Sequence, residues 1–460
     1  MMDNLTRDSS SGDSIVAIAT PPGRGGIGIV RVSGPAAAPM AQALFGAPPP
    51  PRHAAFRVFR DASGQPLDEG LVLYFPRPNS FTGEDVLELH GHGGPVVLDL
   101  LVARLLELGA RPARPGEFTE RAFLNGKMDL AQAEAVADLI TSGSASAARA
   151  ALRSLQGEFS RQVHAIVADL IDLRAQVEAA IDFPEEEIDF LADPALEEGC
   201  HSIRASIAAL LPSARQGCLL QEGMTVTLVG RPNSGKSSLL NALARYDRAI
   251  VSAIPGTTRD VLREHIDLEG MPLHLIDTAG MRESDDEIER EGVRRAHAAA
   301  AEADHVLVIV DDSASGDDFD ALISLLPPAA DYTLLRNKID LTGRQPGFVA
   351  ARPQPADAAT EIAISALTGA GLDAVRAHLR SLRGYEIAGE TTFSARRRHI
   401  DALQRADRAL ESAGSELALR RGELAAEELR QAQRALGEIT GAFTSDDLLG
   451  QIFATFCIGK

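Results

Sequence analysis

The chain has 460 residues, a net charge of −20 and three cysteines (Cys200, Cys218, Cys457) with no Cys-x-x-Cys spacing. That length exceeds the roughly 250–300 residues one core supports, and the cysteines exclude a disulfide framework and a Cys-rich zinc site. Aromatic residues make up only 4% with no Trp, and the polar N-terminus and absence of a run near about eighteen apolar residues predict a soluble, cytoplasmic, non-membrane protein.

Residues 1–127 are rich in Gly, Pro and short apolar runs, as in Ile15–Ile18, Ile27–Val32 and Leu71–Phe75. That texture predicts an α+β domain. From Gly116 to Phe183 there is no proline, and apolar residues recur at helical spacing; a second helical stretch is expected from about Asp193 to Leu211. Helical texture resumes at Ser394 and runs without proline to the end. The simplest organisation is an N-terminal domain (1–127), a helical domain in two parts (128–220 and 384–460), and an α/β domain (221–383) inserted between them. The fold class is multidomain α/β.

Gly230-Arg-Pro-Asn-Ser-Gly-Lys-Ser237 has the spacing of a P-loop, with a strand expected at Met224–Val229 and a helix from Ser238. Its glycines let backbone N–H groups turn toward phosphate oxygens, Lys236 reaches the outer phosphates and Ser237 is a Mg²⁺ ligand. Asp277-Thr-Ala-Gly280 closes another expected strand, placing a carboxylate near Mg²⁺ and a Gly280 amide near the γ-phosphate. Asn337-Lys-Ile-Asp340 then selects guanine, because the Asp340 carboxylate can accept from the ring N–H and the exocyclic amine together. Ser365-Ala366 supplies backbone contacts to the guanine oxygen. In this order the motifs define a GTPase with an inserted Ras-like P-loop domain. Met281 stands where a water-orienting glutamine is expected, and a thioether cannot orient water. Asn233 could coordinate a cation that stabilises developing charge, or be a turn-stabilising amide.

The chain resembles the MnmE (TrmE) family of tRNA-modification GTPases over essentially its whole length. The resemblance is carried by Ala19-Thr-Pro-Pro-Gly-Arg-Gly-Gly26, Asn79-Ser-Phe-Thr-Gly-Glu-Asp85, Leu87-Glu-Leu-His-Gly-His-Gly-Gly94, Arg114 to Asn125, Asp129 to Glu134, Pro255-Gly-Thr-Thr-Arg-Asp260 and Phe456-Cys-Ile-Gly-Lys460. It implies K⁺-stimulated GTP hydrolysis triggered when two such domains meet. K⁺ would be held by Asn233 and Thr257 side chains and by Ser252 and Ile254 carbonyls, and Thr258 would join Ser237 on Mg²⁺. Glu289 would position water, and Ser234, Gly235, Ser238, Thr278, Ala279 and Lys338 would complete the GTP contacts.

The same resemblance implies a tetrahydrofolate site in the N-terminal, dimer-forming domain, with Arg31, Glu88, Lys127 and Lys460 as ligands, 5,10-methylenetetrahydrofolate as one-carbon donor and 5-formyltetrahydrofolate as its analogue. Read without the family, Arg31 and Glu88 are an ordinary cross-strand pair. Cys457 is either a small buried hydrophobe or a functional thiol. The implied partners are a second copy of the chain, the flavoprotein MnmG (which brings FAD) in a heterotetramer, and tRNA. The implied product is a carboxymethylaminomethyl or aminomethyl group on C5 of the wobble uridine. A regulatory RNA-binding switch of the ribosome-assembly type is the alternative. The acidic charge predicts that RNA contact is local, with Arg396-Arg-Arg398 and Arg420-Arg421 as candidates.

Overall fold

The computed structural model describes residues 12–182, 193–246, 263–277, 297, 299–301, 303–314, 319–324, 326–328, 330–349, 360–382, 392–443 and 445–459. The chain divides into two compact units, Met1–Ala137 with Leu436–Lys460, and Asp138–Ala435.

In the first unit, β1 (Ser14–Ile18), β2 (Gly25–Ser33), β3 (Ala55–Arg60), β4 (Pro66–Phe75), β5 (Val86–Gly93) and β6 (Ala110–Pro112) form a six-stranded sheet in the order β3-β4-β5-β2-β1-β6. Its pairings are antiparallel except for β1 with β6. Alternation decides the faces: Val30, Val32, Leu87 and Leu89 point inward, while Arg31, Glu88 and His90 lie between them on the other face. The inward face is covered by α1 (Ala37–Phe45) and α2 (Pro95–Glu107) through Met40, Leu44, Leu98, Leu101 and Leu105. Each such side chain contributes roughly 1.5–3 kcal/mol on burial. A Cβ on Gly28 would stand 2.6 Å from the Leu98 side chain and 3.0 Å from the Gly93 backbone, so close packing under α2 requires glycine there.

Two further helices follow, α3 (Glu117–Leu124) and α4 (Leu130–Thr141). The helix Asp446–Ala454 and the turn after it pack Ile452, Phe453 and Phe456 on Leu130, Ala133 and Phe123. The last residues thus join the N-terminal unit, because this aromatic cluster outweighs their sequence continuity with the preceding helix. Residues 384–460, grouped in the sequence as the second helical part, are divided between the two units.

In the second unit, β7 (Met224–Val229), β8 (Arg263–Leu268), β9 (Met271–Asp277), β10 (His305–Asp311), β11 (Tyr332–Asn337), β12 (Gly347–Phe348) and β13 (Glu361–Ala363) form a sheet ordered β12-β13-β11-β10-β7-β9-β8. The central pairings are parallel and the two edges antiparallel. Near-continuous apolar runs such as His305–Val310, buried throughout, are what a parallel sheet covered on both faces demands.

The helices of this unit are α5 (Ala145–Leu155), α6 (Glu158–Asp182), α7 (Pro194–Glu222), α8 (Lys236–Tyr246), α9 (Phe319–Ile323), α10 (Ile339–Thr342), α11 (Leu372–Leu382), α12 (Arg397–Ala418) and α13 (Gly422–Thr440). Helix α7 starts as its sequence suggests, with Asp193 accepting from the Ala195 N–H and Pro194 in the first turn. It does not stop at Leu211, where the texture predicts an end, but continues through Pro212 to Glu222. Its buried stripe of Ile203, Ile207, Leu210, Ala214 and Cys218 is unbroken across the proline, and tertiary packing overrides the lost backbone bond. A Cβ on Gly217 would lie 1.9 Å from the Phe393 carbonyl oxygen, so the returning chain can seat there only against glycine. Ala147, Ala150 and Leu220 belong to the same apolar core as β7, β8 and β9, and the Ser144 hydroxyl donates to Gly270 O at 2.8 Å.

Candidate functional site

Strand β7 delivers the P-loop and α8 leaves it. Asn233 adopts a left-handed φ of 64° and is exposed, and Gly235 turns at φ 99°. A Cβ on Gly235 would come within 2.1 Å of Asn337 Nδ2, so only glycine lets the loop close against the Asn-Lys-x-Asp segment. Lys236 is buried, and its Nζ donates to Gly230 O (2.7 Å) and Arg231 O (2.9 Å), which sets the ammonium inside the loop. Ser237 and Ser238, in the first turn of α8, are exposed. A helix N-terminus, a buried ammonium and two exposed serines in the first turn suit a phosphate chain and its Mg²⁺.

Asn337 ties three segments together. Its Nδ2 donates to Ser234 O (2.9 Å) in the P-loop, and its Oδ1 accepts from the Ala366 N–H (2.9 Å). The Asp340 carboxylate is exposed, and its Oδ1 accepts from the Ser365 hydroxyl (2.6 Å). The carboxylate that the motif assigns to guanine thus stands open to solvent, held by Ser365. Lys338, at a left-handed φ of 68°, donates to Asp311 Oδ2 (2.6 Å). Burial would raise the Asp311 carboxyl, but hydrogen bonds from Lys338 and Ser313 hold it below its usual range. The motif grammar misses Asp311, though an aspartate closing an apolar strand is the signal that could have found it.

Asp277 ends β9 as expected. Ser252, Ile254, Thr257, Thr258, Thr278, Ala279, Gly280, Met281 and Glu289 lie outside the described residues, so of the K⁺ ligand set only Asn233 is placed.

In the first unit, Arg31 and Glu88 are register partners, and they form an ion pair at 2.8 Å. The Arg31 guanidinium also lies 5.7 Å from the Phe81 ring and 5.8 Å from the Phe118 ring. Lys127 is exposed, with Nζ donating to Pro78 O (3.1 Å), and its stem runs beside Gly83. Lys460 lies outside the described residues, but Gly459 seats so closely that a Cβ would be 2.4 Å from Ile18 O. The Cys457 carbonyl accepts from the Gly116 N–H (3.4 Å), just ahead of the helix carrying Phe118. An ion pair with two rings beside its guanidinium fits a flat heterocycle that carries hydrogen-bond donors. Phe81, Phe118 and His90 were not singled out from the sequence, although all three sit inside motifs quoted for the resemblance.

The cysteines separate clearly. Burial pushes the Cys200 thiol up to about 11 and the Cys218 thiol up to about 12, so both are inert packing groups. Cys457 is exposed rather than buried, which removes the reading of it as a small core hydrophobe.

The candidate basic clusters are largely spent internally. Arg396 pairs with Asp138 (2.7 Å), Arg397 with Glu222 (2.6 Å) and Arg421 with Glu416 (3.4 Å). Among the described residues no helix is long and apolar enough to cross a membrane.

Sheet order, P-loop and guanine-selecting segment together define a P-loop GTPase with an additional N-terminal α+β domain and a helical domain. The TrmE N-terminus profile matches residues 14–127, and the MnmE helical domain profile matches residues 130–457. The chain is 60% identical over 454 residues to the tRNA modification GTPase MnmE of Pseudomonas aeruginosa strain PAO1, covering 97% of this chain and 99% of that one. The protein of the same name from Stutzerimonas stutzeri is 58% identical over equal shares of both chains. The chain belongs to the MnmE (TrmE) family. A GTP-binding protein from Sulfolobus solfataricus solved with GDP superposes with a TM-score of 0.26, at 16% identity over 48% of this chain and 67% of that one, and adds nothing to the argument.

Proposed function

We propose that this GTPase acts in tRNA modification: with the flavoprotein MnmG it adds a carboxymethylaminomethyl or aminomethyl group to C5 of the wobble uridine. The full-length likeness to the Pseudomonas protein carries this reading. In it, the P-loop amides and Lys236 hold the phosphates, Ser237 and Thr258 hold Mg²⁺, and Asp340 with Ala366 selects guanine. Mg²⁺ would supply neutralisation of the charge on the phosphate oxygens.

Asn233, exposed at the outer turn of the P-loop, would hold K⁺ with Thr257, Ser252 and Ile254 once two G domains meet. Glu289 would position water in place of Met281. Arg31, Glu88, Lys127 and Lys460 would bind the tetrahydrofolate that carries the transferred carbon, with Cys457 near them. FAD would come with the partner, the active assembly would hold two copies of each protein, and the work would take place in the cytoplasm. The functional divisions we propose are 1–127 for the folate site and 221–383 for GTP, with 128–220 and 384–460 as the two helical parts and Cys457 and Lys460 at the end of the second. The ribosome-assembly switch finds no support in the Arg31–Glu88 arrangement, which a pure nucleotide switch has no use for.

The test is reconstitution: unmodified tRNA, MnmG, NADH, methylenetetrahydrofolate, an amino donor and this chain, with the nucleosides resolved by mass spectrometry. The proposal requires the modified uridine with GTP and K⁺ and its loss when either is withheld. Formation of the product without GTP would contradict it.

A further inference from the structure

Glu88 and His90 occupy alternate positions of β5 and share its outward face, opposite Leu87 and Leu89 in the core. Their contacts divide the Glu88 carboxylate in a specific way. Arg31 reaches it through both Nε (2.9 Å) and Nη2 (2.8 Å), but both go to the same oxygen, Oε1. A guanidinium can fork across both oxygens of a carboxylate; here it does not. The second oxygen, Oε2, is met instead by His90 Nε2 at 3.1 Å. Beside an ionised carboxylate this nitrogen carries the proton and donates.

A carboxylate offers about four lone-pair sites. Two on Oε1 face Arg31 and one on Oε2 faces His90, so among the described residues one on Oε2 has no partner. Phe81 and Phe118 flank the guanidinium and hold the Arg31 side of the pair. The rotation of the carboxylate about its own axis, and so the aim of that open lone pair, is therefore set by His90.

We infer that His90 is a positioning residue for the ligand site of the first unit, aiming Glu88 Oε2 at an N–H on the amino-amide edge of a pterin-class heterocycle. This rests on reading Arg31 and Glu88 as ligand-binding residues. His90 acts through Glu88 and need not touch the ligand itself.

The experiment measures 5-formyltetrahydrofolate affinity for the full chain by calorimetry, in His90→Leu, His90→Gln and Glu88→Gln variants and the His90→Leu/Glu88→Gln double variant. Loss of one hydrogen bond to a charged group predicts roughly ten-fold weaker binding by His90→Leu. His90→Gln, whose amide keeps a donor within reach of Oε2, restores most of it. With Glu88→Gln in place, His90→Leu costs nothing further, because the group it aims is gone. Should His90→Leu fail to fold, His90→Asn against His90→Gln makes the same comparison, the shorter amide falling short of Oε2. Equal affinity of His90→Leu and the unaltered chain overturns the inference, as does an undiminished loss in the Glu88→Gln background. No binding by the unaltered chain overturns the ligand-site reading and the inference with it.

Discussion

The two candidate sites are built on opposite principles. The nucleotide site sits at the ends of parallel strands, where β7 and β11 run out, and its chemistry is carried by backbone N–H groups and side chains at those ends. The site of the first unit lies on the face of an antiparallel sheet, where Arg31, Glu88 and His90 come together only because β2 and β5 pair in one register. Strand-end sites leave a contiguous motif in the sequence, since the loop is the site. Face sites leave only alternation, and alternation alone does not say which strands are neighbours.

The largest effect comes from attacking the strand-end site. Replacing Asp340 by Asn turns one acceptor into a donor, so GTP affinity should fall by roughly a thousand-fold while xanthosine triphosphate, with an oxygen where guanine has its amine, gains. Competition of the two nucleotides for the variant checks this. Unchanged preference for GTP would mean that Asp340, exposed and held by Ser365, is not the residue that reads the base.

A smaller but still large effect is expected beneath the face site. Glu117 is buried against Arg111 and Arg121 and also accepts from the Arg114 N–H (2.8 Å). Burial would raise its carboxyl, yet the hydrogen bonds from Arg111, the Arg114 N–H and Arg121 overrule it and hold the group at about 2, against an ordinary value of 4.5. A folded-state value below the unfolded one means the ionised group favours folding. That contribution is complete above about 4.5 and is lost as pH falls through about 2. Glu117→Ala should therefore cost on the order of 3 kcal/mol near neutral pH and flatten the acid limb of stability. Hydrogen exchange across residues 14–127 as a function of pH separates this from any change in the second unit. An acid limb as steep as that of the unaltered chain would show that other carboxylates carry it.

In the described part of the strand-end site, the sequence made the local elements legible. Strand, P-loop and helix fall where the apolar run and Gly230–Ser237 place them, and the Asn337–Ala366 contact explains why two motifs 29 positions apart act together. What it hid were consequences of distant packing. The passage of α7 through Pro212 depends on packing against α6 and α12, distant in sequence, and the seating of Phe453 and Phe456 in the first unit depends on Phe123 and Leu130. His90 was invisible for the same reason. Its role follows from Arg31 spending both nitrogens on one oxygen, which no local pattern records.

The claim at the centre of this account is that the P-loop positions a cation through Asn233 where other such enzymes use an arginine. The direct measurement is steady-state GTP hydrolysis in KCl and in NaCl at equal ionic strength, at concentrations that favour dimers, for the unaltered chain and for Asn233→Ala. The account predicts a large K⁺-specific stimulation that Asn233→Ala abolishes while leaving GTP bound. Equal rates in the two salts, or stimulation that survives Asn233→Ala, would contradict it.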